Sequence, residues 1–320
     1  ANVPIRDFFL QPDACIEAYT IGRARAREIL AEDRDITFAG PATPPISYGH
    51  VNGLGAELLF PEGGEVAHTH PYRSLKEGIA ALRKPVDYAQ AGMAPFYLDF
   101  HRKLKAAFPN EKVGFGYSLE GPITTAYELR GDEVFTDALD EPDLFKEFLR
   151  LTTASIIEFH RFRAAVNEVP AVSPDAAGMA DDIASLFRPD LFPEFVVPYW
   201  DQYFTGLTTG YRHAHVENLR GPHLKHLETV GLYRFDPSIS AQLNPKIISR
   251  ECRVPFAWRL GDFHFADLTA DEVRDWVFQA AADGASSVFI SLTGKMCLEP
   301  TLSKVRSFIR AAKEAQAMLK

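Results

Sequence analysis

Two imidazoles and a carboxylate recur at every second position in Tyr211-Arg212-His213-Ala214-His215-Val216-Glu217-Asn218. Alternate side chains of a strand share a face, so His213, His215 and Glu217 are expected to project together. Burying such groups is costly unless they are paired or ligated. Imidazole and carboxylate are ordinary zinc ligands, and thiolate is the softer group that often completes such a site. Of the cysteines, Cys297 follows a segment of buried-strand type, Ser286 to Leu292, in the stretch Thr293-Gly294-Lys295-Met296-Cys297-Leu298-Glu299-Pro300. The pattern predicts that His215, Glu217 and Cys297 converge on one Zn2+. The fourth position would be left to His213, water or substrate, which is the arrangement of a catalytic zinc. The plainer alternative is a pair of hydrogen-bonded histidines and a small buried hydrophobe.

Other polar groups carry weaker signals. Asp181 and Asp182 follow Gly178-Met179-Ala180 and would end a strand. There they suit proton transfer or substrate polarisation, with helix capping as the alternative. His68-Thr69-His70 lies in a Gly/Pro-rich loop and reads as solvated. His223 and His226 are three apart on a helix and read as its surface. Arg23, Arg25 and Arg27 spread around a helix and also read as solvated. No Ser-His-Asp signature or phosphate-binding glycine loop is present.

The elements that would position these groups alternate. Val113 to Tyr117, Tyr211 to Glu217, Gly231 to Phe235, Val254 to Leu260 and Ser286 to Leu292 read as strands. Glu141 to Ala164, Pro189 to Thr205, Leu219 to Thr229, Ala270 to Ala282 and Thr301 to Leu319 read as helices. Thr269 with Glu272 has the spacing of a capping box. Strands separated by helices imply a parallel sheet. The last four strand–helix units occupy only about 110 residues, which is barrel spacing. The expected fold is therefore an α/β (β/α)8 TIM barrel forming one domain over residues 1–320. Residues 1–45 would be a helical N-terminal extension, helical from Ala18 to Glu32 and closed by the cluster Pro41 to Pro45. A doubly wound open sheet would show a glycine-rich first turn, and Gly49, Gly53 and Gly55 have the wrong spacing for it.

Composition narrows the function. A net charge of −9 without a dense Lys/Arg block argues against nucleic acid as a partner. No apolar run reaches the length of a membrane span, and the first residues lack a signal-peptide pattern. The three cysteines, Cys15, Cys252 and Cys297, are odd in number and far apart. They suit a reducing cytoplasm better than a disulfide framework.

Several segments together resemble the uroporphyrinogen decarboxylase-like superfamily. Glu120-Gly121-Pro122-Ile123-Thr124-Thr125-Ala126-Tyr127-Glu128-Leu129-Arg130-Gly131 is similar to its Gly-Pro-Phe-Thr-Leu-Ala segment before Leu-Arg-Gly. Ala180-Asp181-Asp182-Ile183, then Arg188 to Phe195 and Pro198-Tyr199, resembles its Asp-Asp and Ser-Pro-Glu-Leu-Phe-x-Glu-Phe elements. His215-Val216-Glu217-Asn218 stands where the family has His-x-Cys-Gly-Asn, and Gly294 to Cys297 resembles its Gly-Cys end. The resemblance covers roughly residues 85 to 320 and implies a (β/α)8 barrel.

That superfamily includes cofactor-free decarboxylation of uroporphyrinogen and zinc-dependent methyl transfer involving a corrinoid. The resemblance to the methyltransferase branch carries the zinc ligands onto His215, Glu217 and Cys297. Glu217 replaces a thiolate, leaving a harder and more Lewis-acidic site that favours an oxygen-bearing methyl donor over a thiol. Asp182, Asp181 and Tyr127 are the expected catalytic groups, and Asn218, Glu120 and His213 the expected substrate contacts. The implied partners are a small-molecule methyl donor or thiol and a corrinoid, either free as cobalamin or on a protein docked over the barrel mouth; a homodimer is compatible. The decarboxylase's Arg-Gln-x-Gly-Arg segment has no match, and Gly294-Lys295-Met296 replaces its Gly-His-Gly. Tetrapyrrole decarboxylation is the alternative, and a non-catalytic tetrapyrrole-binding barrel a third reading.

Overall fold

A computed structural model of the chain describes residues 2–32 and 38–319. The contacts divide it into two compact units. One comprises Ala1–Asp175 with Pro198–Gly210, the other Ala176–Val197 with Tyr211–Lys320.

The second unit is built from short parallel strands alternating with helices. In order they are β3 (Ala176–Ala180), β4 (Tyr211–His215), β5 (Arg234–Asp236), β6 (Ala257–Arg259) and β7 (Ser287–Phe289). β3, β4 and β5 pair in sequence order, β6 pairs with β7, and a parallel bridge from Phe235 to Phe256 joins the two groups. The register decides what meets at the strand ends. Ala180 lies opposite His215, and His215 opposite Asp236. Residues at or just beyond the C-terminal ends of three neighbouring strands therefore fall in one row. The outward faces are apolar: Ala214, Val216 and Phe235 are buried. The helix Ala270–Ala282 packs on the closing helix Thr301–Met318 through Val273, Val277, Val305 and Phe308. Its start has the predicted capping box, with Thr269 Oγ1 accepting from Glu272 N at 3.2 Å.

The first unit holds the antiparallel hairpin of β1 (Leu58–Leu59) and β2 (Ala67–His68) and isolated parallel bridges at Ala42–Gly114, Ile46–Tyr117 and Ser173–Thr208. Gly116 permits close approach there, because a Cβ would sit 2.3 Å from the Thr43 carbonyl oxygen. Its core is aromatic, with Tyr97, Phe100, Phe115, Tyr117 and Phe159 buried around Leu104. The N-terminal extension forms the helices Ile5–Leu10 and Pro12–Ile29, and Cys15 belongs to this core. The helix expected over Ala18 to Glu32 starts earlier, at Pro12, and ends at Ile29.

The chain is thus α/β, as expected. Hydrogen-bonded sheets among the described residues have two, three and two strands, so ladder bonds alone do not trace an eight-stranded ring. The strands are shorter than the sequence suggests: β4 stops at His215, two residues before Glu217. The helix expected over Pro189 to Thr205 is divided into Phe192–Phe195 and Val197–Leu207. Pro198 has no N–H to give the Glu194 carbonyl, which interrupts the ladder there.

Three surface expectations are corrected. His223 and His226 are 0% and 6% exposed, and their Nε2 atoms lie 3.0 Å from the carbonyl oxygens of Phe187 and Pro189. The turn Gly221–His223 and the helix Leu224–Thr229 that follows present these two rings to the chain leaving Asp182, not to water. Arg23 donates through Nη2 to Glu111 Oε1 at 3.0 Å and stacks over Tyr19 and Phe108. His68 is half-buried against Tyr48, with ring centroids 4.4 Å apart, although His70 is exposed as expected. No helix among the described residues is long and apolar enough to cross a membrane.

Candidate metal centre

β4 ends on His215, and the chain turns immediately. Val216 N continues the ladder by donating to the Asp236 carbonyl, and Asn218 adopts a left-handed backbone at φ 58°. Asparagine tolerates that conformation better than most residues. Between them Glu217 is held by its own backbone, whose N–H donates to Asp182 Oδ1 at 2.7 Å. Asp182 opens the short helical turn after β3. One hydrogen bond thus joins the exit of β3 to the exit of β4 and brings both carboxylates beside His215.

His215 Nε2 lies 3.7 Å from Asp182 Oδ1 and 3.7 Å from Glu217 Oε1. One ligand atom from each of the three residues falls within 4.8 Å of the other two. Tetrahedral ligands at about 2.1 Å from a zinc ion stand roughly 3.4 Å apart, so these spacings suit a cation with small adjustments. The other imidazole nitrogen is occupied: Nδ1 donates to Asp236 Oδ2 at 2.9 Å. Asp236 is held in turn by Ser238 N, which donates to Oδ1 at 2.8 Å. A carboxylate behind the imidazole fixes its tautomer and turns the Nε2 lone pair toward a metal.

The electrostatics follow from that arrangement. The Asp236 hydrogen bond, working against burial and with the charges of Asp182 and Glu217, holds the His215 pKa above its ordinary value. Burial pushes the Asp182 carboxyl up despite the Glu217 N–H and the His215 charge. Burial would also raise Asp236, but hydrogen bonds from His215 and Ser238, with the charges of His215 and Arg259, leave it below the usual carboxylate value. Three acidic groups around one imidazole concentrate negative charge that a divalent cation would neutralise.

The structure brings His215 and Glu217 together as the sequence led us to expect, and adds Asp182 to the same cluster. Cys297 ends the short turn Gly294–Cys297, half-buried, and is outside the group of three. His213, two residues before His215, lines a cavity of about 360 Å3 with Gly178, Arg234, Asp236 and Phe289. Burial, then the Arg234 charge, lowers its pKa. Asp181 is fully buried, and its N–H donates to the His215 carbonyl. Tyr127 and Glu120 belong to the first unit. There Tyr127 lies on the helix Pro122–Arg130 with its ring edge-on to His70, 5.5 Å away.

Asp236 escaped the sequence reading. Its strand was expected to end at Phe235, one residue short. The available signal was its position, since residues 234 and 236 share the face opposite buried Phe235.

No curated protein matches the chain. Among solved structures it is similar to a methyltransferase from Methanosarcina mazei, with a TM-score of 0.69 and 16% sequence identity over 98% of this chain and 88% of that one. At that identity the likeness establishes the fold. The sequence profile described as "Uroporphyrinogen decarboxylase (URO-D)" matches residues 48–249, more than half of the 320 residues. With that match and the shared fold, this chain belongs to the uroporphyrinogen decarboxylase family.

Proposed function

We propose that the protein is a zinc-dependent methyltransferase on a closed (β/α)8 barrel. It would move a methyl group between a small molecule and a corrinoid, the latter free or carried by a partner protein. The observation that carries this reading is the orientation of His215. Asp236 occupies Nδ1, and Nε2 faces the carboxylates of Asp182 and Glu217. That donor set fits a divalent cation, and the structural likeness to a methyltransferase favours methyl transfer over other metal chemistry.

His215, Glu217 and Asp182 would hold the ion, with Cys297 as the proposed fourth ligand from the 293–298 segment. When bound, zinc supplies Lewis acidity toward a thiol sulfur or ether oxygen of the substrate. Two carboxylates make the site harder than a thiolate-rich one, favouring an oxygen-bearing methyl donor. Asp236 orients the imidazole, and the Asp182–Glu217 backbone bond fixes the turn carrying Glu217. His213 and Asn218, flanking the cluster in sequence, are proposed to contact substrate. Tyr127, Glu120 and Asp181 remain proposed contributors from the resemblance.

The test pairs metal analysis with a methyl-transfer assay. Purified protein should contain close to one zinc per chain. It should change the absorbance of methylcobalamin or reduced cobalamin in the presence of small thiols or aryl methyl ethers. His215→Ala should lose both properties. A zinc-free protein, with transfer unchanged in His215→Ala, would sink the reading. Conversion of uroporphyrinogen to coproporphyrinogen would favour the decarboxylase alternative.

A further inference from the structure

The segment His68-Thr69-His70, which reads as solvated in the sequence, is held in a defined arrangement. β2 ends on His68. Thr69, the next residue, is fastened to the other arm of the hairpin. Its N–H donates to the Glu57 carbonyl at 3.0 Å, and its Oγ1 accepts from Glu57 N at 2.9 Å. Alternate residues of extended chain share a face, so His68 and His70 project to one side. Two residues on, Tyr72 N donates to the Leu129 carbonyl at 3.0 Å and ties the segment to the helix Pro122–Arg130.

Each ring is fixed at one nitrogen. Nδ1 of His68 donates to the Thr69 carbonyl at 3.1 Å, and Nδ1 of His70 to the Glu128 carbonyl at 2.9 Å. A carbonyl oxygen only accepts, so Nδ1 carries a proton in both rings, and in the neutral imidazole Nε2 is then a lone pair. A metal-binding histidine ordinarily gives its second N–H to just such an acceptor. The two ring centres are 5.2 Å apart. Two imidazoles on one tetrahedral ion, each nitrogen about 2.1 Å from it, have centres roughly 5.3 Å apart. The rings meet edge to face at 86°, so taking up an ion requires them to turn and not the chain to move. Glu128, Glu120 and Glu65 act as negative charges on Tyr48, whose ring lies 4.4 Å from His68, and that field favours a cation.

We propose that His68 and His70 bind a second transition-metal ion through their Nε2 atoms, at a site in the first unit with no residue in common with the His215 centre. Among the described residues, no third histidine, cysteine or carboxylate atom completes the pair. The ion therefore keeps positions open to water or a small ligand, and it exchanges readily. Two imidazoles suit Cu2+, Ni2+ or Zn2+ and do not suit Mg2+ or Ca2+, which take oxygen donors. The site stands or falls independently of methyl transfer.

Copper titration tests this, because Cu2+ binds such sites most tightly of these ions and reports its ligands by electron paramagnetic resonance. In His215→Ala, which lacks the imidazole of the first centre, a bound Cu2+ should show echo modulation from two imidazoles. His68→Asn and His70→Asn, made in that background, keep an N–H near the Nδ1 position and remove Nε2. Each should weaken copper binding at least about tenfold and leave one coordinated imidazole. A modulation from fewer than two imidazoles in His215→Ala overturns the proposal, and so does a copper isotherm unchanged by both Asn substitutions. Footprinting of the parent protein with diethyl pyrocarbonate needs no substitution. Cu2+ should protect His68 and His70 together from modification, and Mg2+ should protect neither. If both rings react equally with and without copper, the site does not exist, whether or not the variants fold.

Discussion

His215 and Asp236 form a 2.9 Å hydrogen bond between Nδ1 and Oδ2, and this contact decides which imidazole nitrogen is left for a metal. Removing the acceptor without changing its size tests that role. Asp236→Asn should lower zinc affinity about 10- to 100-fold, the usual cost of losing a carboxylate behind a ligating histidine. His215→Ala should abolish binding. Competition against a chromophoric chelator measures both, and an Asn variant binding as tightly as the parent would deny Asp236 this function.

The same bond sets the pH dependence of metal uptake. The His215 pKa is raised, so its Nε2 keeps a proton to higher pH than an ordinary histidine. A metal must displace that proton. Zinc affinity should therefore fall as pH drops through the raised value, by about tenfold per pH step for one displaced proton. The Asp236 hydrogen bond is the largest cause of the shift. In Asp236→Asn the fall should therefore begin at lower pH, although the whole curve lies lower. Affinities measured from pH 5 to 8 would show the two breaks, and coincident breaks would count against the assignment.

The metal centre was half legible in the sequence, for a definable reason. The two-residue period fixes which residues of one strand share a face, so His215 and Glu217 could be read directly. It carries nothing about register between strands, and register is what sets Ala180, His215 and Asp236 in one row. Asp182 was noticed as an acid at a strand exit, but its bond to the Glu217 N–H depends on two chain segments 35 residues apart. His223 and His226 show the same limit in reverse. Their spacing placed them on one helix face, and a single sequence does not reveal that this face covers Phe187 and Pro189. The parallel α/β pattern was easier, because capping residues and alternating periods are local: the helix Ala270–Ala282 has its predicted ends.

His223 makes acid stability testable. Its Nδ1 accepts from Arg220 N at 2.9 Å while Nε2 donates to the Phe187 carbonyl, so the folded state requires a neutral ring. Burial lowers its pKa and that of His226, and burial takes His50 down to about 3. Groups lowered in the folded state bind protons preferentially when unfolded. Their contribution is complete above about pH 6.5, the unfolded value, and is lost as pH falls toward the folded values. Unfolding midpoints should decline steadily from pH 7 to 4. His223→Ala should cost about 1–3 kcal/mol at pH 7.5 by leaving polar groups unpaired, with a shallower decline in acid. A parallel decline in parent and variant would show that His223 does not drive it.

Cobalt substitution separates the hard and soft halves of the proposed ligand set. Co2+ bound only by His215, Glu217 and Asp182 would lack an intense sulfur-to-metal charge-transfer band, because nitrogen and oxygen donors do not supply one. If Cys297 joins as the fourth ligand, the parent protein shows that band and Cys297→Ser loses it while still holding cobalt. Glu217→Cys then provides the positive control. It installs a thiolate on the same turn, held by the same backbone bond to Asp182, and should display the band in either case. It should also shift metal preference toward softer ions. A parent protein without the band, beside a Glu217→Cys variant that has it, would confine metal binding to the imidazole and carboxylates. Cys297 would then have no place in the coordination sphere.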